Sequence, residues 1–456
     1  MKNEENKPLL GESISSKEET VEGEVESPCF LCGTSVNKND DELGEVMPGG
    51  MSIFKTAVFI VAEIAGSGIL ALPNALAGTS WTGIGLLVVL GLLALYCATL
   101  LGDCWNIIKR KHDVPRNIRD PYPLIGTHAA GKFGKYAVEL CIFFTLVGSS
   151  VVYILLSAKQ ISSILNVSIG EFDDPKTEFR FWILICGAVL IPCTWFASPK
   201  EMWFIAYGAT VCTFAACVLI IIRSTMHLYN YGMADESKFT DPSVTSFFTA
   251  FGTIAFAYGG GSLLPTLQAD MKKPTSFIYA AFLGFIFIFV LYLPCTLLPY
   301  LCIGSKIDPN VLETLETLPG NGKTMITIAK TLITFHLLFA IVVITNPITQ
   351  LLEEKFGIEH KFGIKRILVR SINGVLMIGL AELFPNFGPN LSLIGGSTLT
   401  CLCYIFPAMF YLQIEEKHLI PLHKKVLLIE IVFIALGCGA ASTYSSILGF
   451  ENPFKT

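Results

Sequence analysis

The chain has 456 residues, of which 52% are hydrophobic and 15% charged, well below the roughly 25% charge of soluble globular domains. The charges gather in short clusters between apolar stretches of about 18 residues or more, the length that crosses a bilayer. This excludes a soluble globular protein, and the formal net charge of −5 belongs to the N-terminal tail, so it gives no ground for a nucleic-acid or other charged partner.

Residues 1–50 hold 12 acidic residues against 4 lysines and few aromatics, the composition of a disordered cytosolic tail. No basic n-region precedes the first apolar stretch, so the first span is expected to act as its own insertion signal. The run Glu5-Asn6-Lys7-Pro8-Leu9-Leu10 resembles an acidic dileucine signal read by endosomal and lysosomal sorting adaptors. Cys29 and Cys32 have the spacing of half a zinc site, but no second pair and no histidine follow in the tail. No metal site is therefore assigned, and incidental thiols or lipid attachment account for the pair. Most of the 14 cysteines lie inside apolar stretches, where cysteine behaves as a small hydrophobe. An exoplasmic disulfide is not expected unless Cys302 pairs with Cys295.

Eleven spans are predicted in chain order: Ile53–Leu76, Trp81–Leu101, Tyr136–Leu165, Phe179–Phe196, Trp203–Ile222, Phe247–Leu267, Phe277–Leu301, Thr324–Leu351, Ile367–Phe384, Leu391–Leu412 and Val426–Leu448. With the N-terminus cytosolic, the cytosolic loops and their flanks carry 18 basic residues and the opposite face 7. The asymmetry places the N-terminus inside and, with an odd span count, the C-terminus outside. The sequon at Asn166 falls in a loop on the outer side and marks a candidate glycosylation site, although sequons also arise by chance.

The first span is interrupted at Gly66-Ser67-Gly68 and again by Pro73. The sixth is interrupted at Gly259-Gly260-Gly261, followed by Pro265. Glycine clusters weaken a helix, and non-helical backbone at membrane depth persists only inside protein or along a cavity. Either cluster alone also fits close packing of helices through small residues. As a pair they occupy corresponding places in a five-span unit repeated with inverted orientation. Spans one to five, about residues 51–226, and six to ten, about 247–412, form the halves of a transporter core. Residues 413–456 supply the eleventh span and a short C-terminus.

The run Gly66-Ser67-Gly68-Ile69-Leu70-Ala71-Leu72-Pro73, with Ala257-Tyr258-Gly259-Gly260-Gly261 and Pro265-Thr266-Leu267-Gln268-Ala269-Asp270-Met271-Lys272-Lys273-Pro274, resembles the amino acid/auxin permease family of the amino acid-polyamine-organocation superfamily. The resemblance implies an all-α, LeuT-like fold with discontinuous first and sixth helices, and transport of amino acids or related small compounds, often with H⁺ or Na⁺. It places a substrate carboxylate at Gly66, Ser67 and Gly68, and the amino group at carbonyls near Phe256, Ala257 and Tyr258, with Gly259 as a further substrate-binding residue. Side-chain selectivity is then sought at Tyr258 and at Gly148-Ser149-Ser150, where helix packing is an equal explanation.

Ionisable residues inside spans are functional candidates. Lys159 and Lys330 fall toward the exoplasmic interface, about 34 and 9 Å along their spans, where snorkelling accounts for them. Glu63 and His336 lie near the midplane, about 15 and 18 Å from their span starts. In a LeuT-like arrangement the first and eighth spans are neighbours, so these two are expected to be able to meet. Low dielectric favours the neutral form of either group, which suits proton coupling, although a neutral residue steadying helix packing fits as well. A Na⁺ site would use hydroxyls and carbonyls near Thr331, Thr334 and Thr345 instead.

No cofactor other than H⁺ or Na⁺ as coupling ion is expected. Two further classes stay open: a membrane receptor that senses an amino acid with little flux, and an intramembrane enzyme built on His336. The eighth span offers the latter no His-Glu-x-x-His pattern.

Overall fold

The computed structural model describes residues 49–112, 114, 120–165, 174–195, 202–239, 241–358, 363–416 and 418–451. Glu5, Leu9, Leu10, Cys29, Cys32 and Asn166 lie outside the described residues.

Helices make up the regular structure among the described residues, in the order α1 (Ile53–Ile64), α2 (Leu72–Ala77), α3 (Thr82–Lys111), α4 (Pro121–Leu165), α5 (Pro175–Trp195), α6 (Met202–Tyr231), α7 (Val244–Ala257), α8 (Leu264–Ala269), α9 (Phe277–Ile303), α10 (Val311–Thr317), α11 (Lys323–Lys355), α12 (Ile364–Leu383), α13 (Phe387–Ile394), α14 (Phe406–Ile414) and α15 (Leu422–Glu451). Two wider π-helical turns, Gly395–Leu399 and Cys401–Ile405, join α13 to α14. Among the described residues, 8 helices are long and apolar enough to cross a membrane, or 9 when the pair bent by 49° across Ile64–Ser67 counts as one span. Two predicted spans are not in that set. The sixth stops at Ala257, so α7 is a helix of only 14 residues. The ninth appears as α12, 20 residues long, whose first turns carry Lys365, Arg366 and Arg370.

The third predicted span, Tyr136–Leu165, begins later than its helix does. α4 starts at Pro121 and turns a corner at Ala130 and Gly131, where Gly131 has φ 61°. Residues with a Cβ rarely take that conformation. Across the corner, Gly126 and Gly134 approach so closely that a Cβ on either would strike the other's carbonyl oxygen.

Large apolar side chains such as Val89, Leu92, Phe144, Phe214 and Phe433 are exposed, the outward face that a hydrocarbon solvent accommodates. The interior holds the bulky polar aromatics, among them Tyr122, Tyr258, Tyr292 and Tyr404.

Snorkelling does not describe either lysine. Lys159 Nζ lies 3.1 Å from Asp308 Oδ1. Lys330 is buried and pairs with Glu313 at 3.1 Å and with Glu316, while also donating to Ser163 Oγ. The carboxylates come from the segment between α9 and α11 that includes α10, and span-by-span reading could not bring it over these lysines. A second buried pair, Arg370 Nε to Glu353 Oε1 at 2.7 Å, joins α12 to α11, and Arg370 also donates to the Thr194 carbonyl of α5. Buried charges persist when paired and hydrogen-bonded in this way.

Met51 and Met271 form an isolated β-bridge. Met51 N–H donates to the Asp270 carbonyl at 2.8 Å, and Lys272 N–H donates to the Met51 carbonyl at 2.9 Å. The chain entering α1 is thereby fastened to the chain leaving α8.

Candidate binding site at the two helix breaks

α1 ends at Ile64 because Ala65 leaves helical geometry, and Gly66 follows at φ −102°, ψ −148°. A short 3₁₀ turn, Ser67–Ala71, leads into α2. This change of path strands backbone groups. The N–H groups of Ser67 and Gly68 have no acceptor among the described residues, and the Ala65 carbonyl has no donor. Ser67 Oγ is buried and makes no hydrogen bond of good geometry, with the Tyr153 hydroxyl of α4 as its polar neighbour. Three donors therefore converge at the start of a helical segment, the end that carries partial positive charge. An unmet buried donor costs about 1–3 kcal/mol, so the place rewards an anionic ligand such as a carboxylate.

The sixth span breaks differently. After α7 ends at Ala257, Gly259 N–H donates to the Phe256 carbonyl and Gly260 N–H to the Tyr258 carbonyl, both at 2.9 Å. The Tyr292 hydroxyl takes the Ala257 carbonyl at 2.8 Å. The carbonyls of Phe256, Ala257 and Tyr258, expected to hold an amino group, are thus each already engaged, that of Phe256 by Gly259 N–H with Tyr258 N–H also directed at it. The breaks touch each other: a Cβ on Gly68 would lie 2.8 Å from Ala257 Cα. Only glycine permits that approach.

The Tyr258 ring packs with Phe285, Phe289 and Tyr292 at centroid distances of 6.5, 6.1 and 5.4 Å. Its hydroxyl is buried and unpaired. Gly148 packs on Ile394, where a Cβ would meet the side chain at 2.6 Å, and Ser150 Oγ donates to its own helix. The helix-packing explanation thus describes that stretch. The residue of α4 that reaches the break is Tyr153, whose hydroxyl lies 3.1 Å from where a Cβ on Gly66 would be. It stands one helical turn past Ser150 on the same face, which is the signal that could have found it.

His336 reaches the same spot from α11. Its Nδ1 lies 2.8 Å from Thr213 Oγ1 and 3.1 Å from the Ala209 carbonyl of α6. A carbonyl only accepts, so this contact requires the proton on Nδ1, and the neutral ring then carries its lone pair on Nε2. Nε2 is buried without a partner and lies 3.9 Å from the Cβ position at Gly66. Glu63 is half-buried and has no hydrogen bond or ion pair among the described residues. Its Cγ lies 3.6 Å from the Cβ position at Gly260. Glu63 therefore faces the sixth break and His336 the first, with no bond between them.

Thr331, Thr334 and Thr345 each donate to the carbonyl four residues earlier in α11. The longer motif after the sixth break is held by Gln268, whose amide nitrogen lies 3.0 Å from the Gly102 carbonyl, 3.1 Å from Asn106 Oδ1 and 3.2 Å from the Pro274 carbonyl. These bonds tie α8 and its loop to α3.

Residues 49–448 match the family described as transmembrane amino acid transporter protein. Among curated relatives, amino acid transporter AVT1B of Arabidopsis thaliana is 25% identical over 423 residues, covering 90% of this chain and 71% of that protein. Lysine histidine transporter-like 3 of Arabidopsis thaliana is 23% identical over 380 residues, covering 80% of this chain and 81% of that protein. A solved structure, MhsT in complex with L-phenylalanine, superposes with a TM-score of 0.62 at 14% identity, over 88% of this chain and 100% of that one, a likeness of fold. With the family match spanning most of its length, this chain belongs to the transmembrane amino acid transporter proteins.

Proposed function

We propose that the protein is a secondary active transporter of amino acids or related small zwitterions, coupled to protons and working by alternating access. One observation carries the reading: the free N–H groups of Ser67 and Gly68, beside the buried Ser67 hydroxyl, face a buried site that also holds an open histidine nitrogen. An amino acid offers a carboxylate to those donors and an ammonium to lone pairs. The ammonium acceptors are the Ala65 carbonyl and the second lone pairs at Ala257 and Tyr258. The helix order supports an eleven-span reading, because each break opens a run of five predicted spans, with one span left over. In that reading the halves are inverted repeats that rock against each other, the N-terminus is cytosolic and the C-terminus exoplasmic. An endosomal, lysosomal or plasma membrane would be its setting.

Glu63 and His336 are the coupling candidates. Glu63 is a carboxyl without a partner beside the sixth break, and His336 presents Nε2 to the first. The test is uptake into proteoliposomes, screened against twenty amino acids at two pH values with and without Na⁺. Saturable, proton-gradient-driven uptake is the expected result. Saturable binding without counterflow would sink the carrier reading in favour of a sensor, and Na⁺-driven uptake indifferent to pH would replace the coupling ion. Glu63→Gln is expected to abolish pH-driven uptake while exchange persists; an unaltered pH dependence removes Glu63 from coupling.

A further inference from the structure

Two helix ends converge on one hydroxyl. α1 ends at Ile64 and α7 at Ala257, and Tyr292 Oη of α9 lies 2.8 Å from both carbonyl oxygens. A helix C-terminus carries partial negative charge, so two such ends face the same point. A phenol has a single proton and a carbonyl only accepts. The two carbonyls therefore share one hydrogen or take it in turn.

The two carbonyls differ in what else they accept. Ile64 O also accepts from Gly66 N–H at 2.8 Å, but Ala257 O accepts from nothing else among the described residues. Tyr292 is fully buried, and lipid supplies no hydrogen bonds. The site the hydroxyl holds is also where the breaks meet, since Gly68 abuts Ala257.

We infer that Tyr292 is a positioning residue that yokes the two breaks: its one proton holds the ends of α1 and α7 to α9 and keeps the donors of Ser67 and Gly68 in register with the carbonyls of the sixth break. Its meaning for substrate rests on the transport reading given above. The yoke itself does not, because it is a property of the protein without substrate.

The test is hydrogen–deuterium exchange of the full, substrate-free protein in nanodiscs. In Tyr292→Phe, the segments 61–72 and 254–264 are both expected to exchange about tenfold faster, the effect of losing one buried hydrogen bond, while the other helices stay as they were. Loosening of only one segment, of neither, or of every helix overturns the yoke. 3-Fluorotyrosine at position 292 keeps the ring and makes the hydroxyl a stronger donor, so it is expected to slow both segments together; a change confined to one overturns the inference even if the phenylalanine variant does not fold. In proteoliposomes, Tyr292→Phe is expected to raise KM about tenfold with Vmax within about twofold. An unchanged KM in the loosened protein overturns the link to substrate. Wild-type protein that moves no amino acid would defeat the transport reading and leave the exchange result standing.

Discussion

Both breaks begin with a helix giving way to glycine, yet they leave opposite groups unmet. At Gly66–Gly68 the donors are idle: two N–H groups have no acceptor among the described residues, and the buried Ser67 hydroxyl has only the Tyr153 hydroxyl beside it. At Phe256–Tyr258 the expected acceptors are already occupied, two by neighbouring glycine N–H groups and one by Tyr292. Glycine therefore has two different uses here. In the first span it exposes backbone, while in the sixth it lets the chain curl and satisfy itself. The first break is accordingly the place with most to gain from a ligand, and the sixth is a wall of fixed shape offering only second lone pairs.

The contrast is broken most severely at the contact between the two. A side chain at position 68 would meet the Ala257 backbone at 2.8 Å, which cannot rotate away. Gly68→Val should reduce counterflow by on the order of 100-fold, the cost of displacing reacting groups by about 1 Å, at equal reconstituted protein. Wild-type counterflow in that variant would mean the breaks need not touch. Next comes Ser67→Ala, which removes one of three donors and should weaken amino-acid binding about tenfold, as measured by scintillation proximity. An amino-acid amide, having no carboxylate, should bind the variant and the wild type alike; equal losses for both ligands would place the hydroxyl elsewhere in recognition.

The smallest effect concerns the loop beyond the sixth break. Burial holds the Asp270 carboxyl above its ordinary range. A proton then binds the folded protein more readily than the unfolded chain, so stability gained at low pH is lost as pH rises through the raised value. Asp270→Asn should flatten this part of the thermal-stability profile between acid and neutral pH by about 1 °C or less, since the group is only partly shielded. A profile that steepens instead would show that the ionised form is the one the fold prefers.

The breaks were legible because glycine clusters inside apolar runs are rare and costly, and the idle donors follow from the first of them. The partners of those breaks were not. Tyr292 sits in an apolar span with nothing local to distinguish it, and its two carbonyls lie 228 and 35 residues away. Tyr153 was hidden behind Gly148-Ser149-Ser150, a more conspicuous stretch one turn earlier. Lys330 misled for a related reason: depth along a span predicts an escape to the interface, but Glu313 and Glu316 fold back onto it from α10. His336 lies near the middle of α11, while its separation from Glu63 depends on how α6 grips the imidazole through Thr213 and Ala209.

The bridge between Met51 and Met271 is built from peptide groups alone. Alanine at Met51, Asp270 or Lys272 would pass over it in silence, because no side chain there takes part in the two bonds. Proline at position 51 or 272 would erase a donor outright, and any side chain at position 50 would press on Lys272 N, 2.7 Å from the added carbon. The fastening of the tail-bearing end of the chain to the sixth span thus follows a grammar of backbone, tolerant of drift in lettering and vulnerable to a single imino acid.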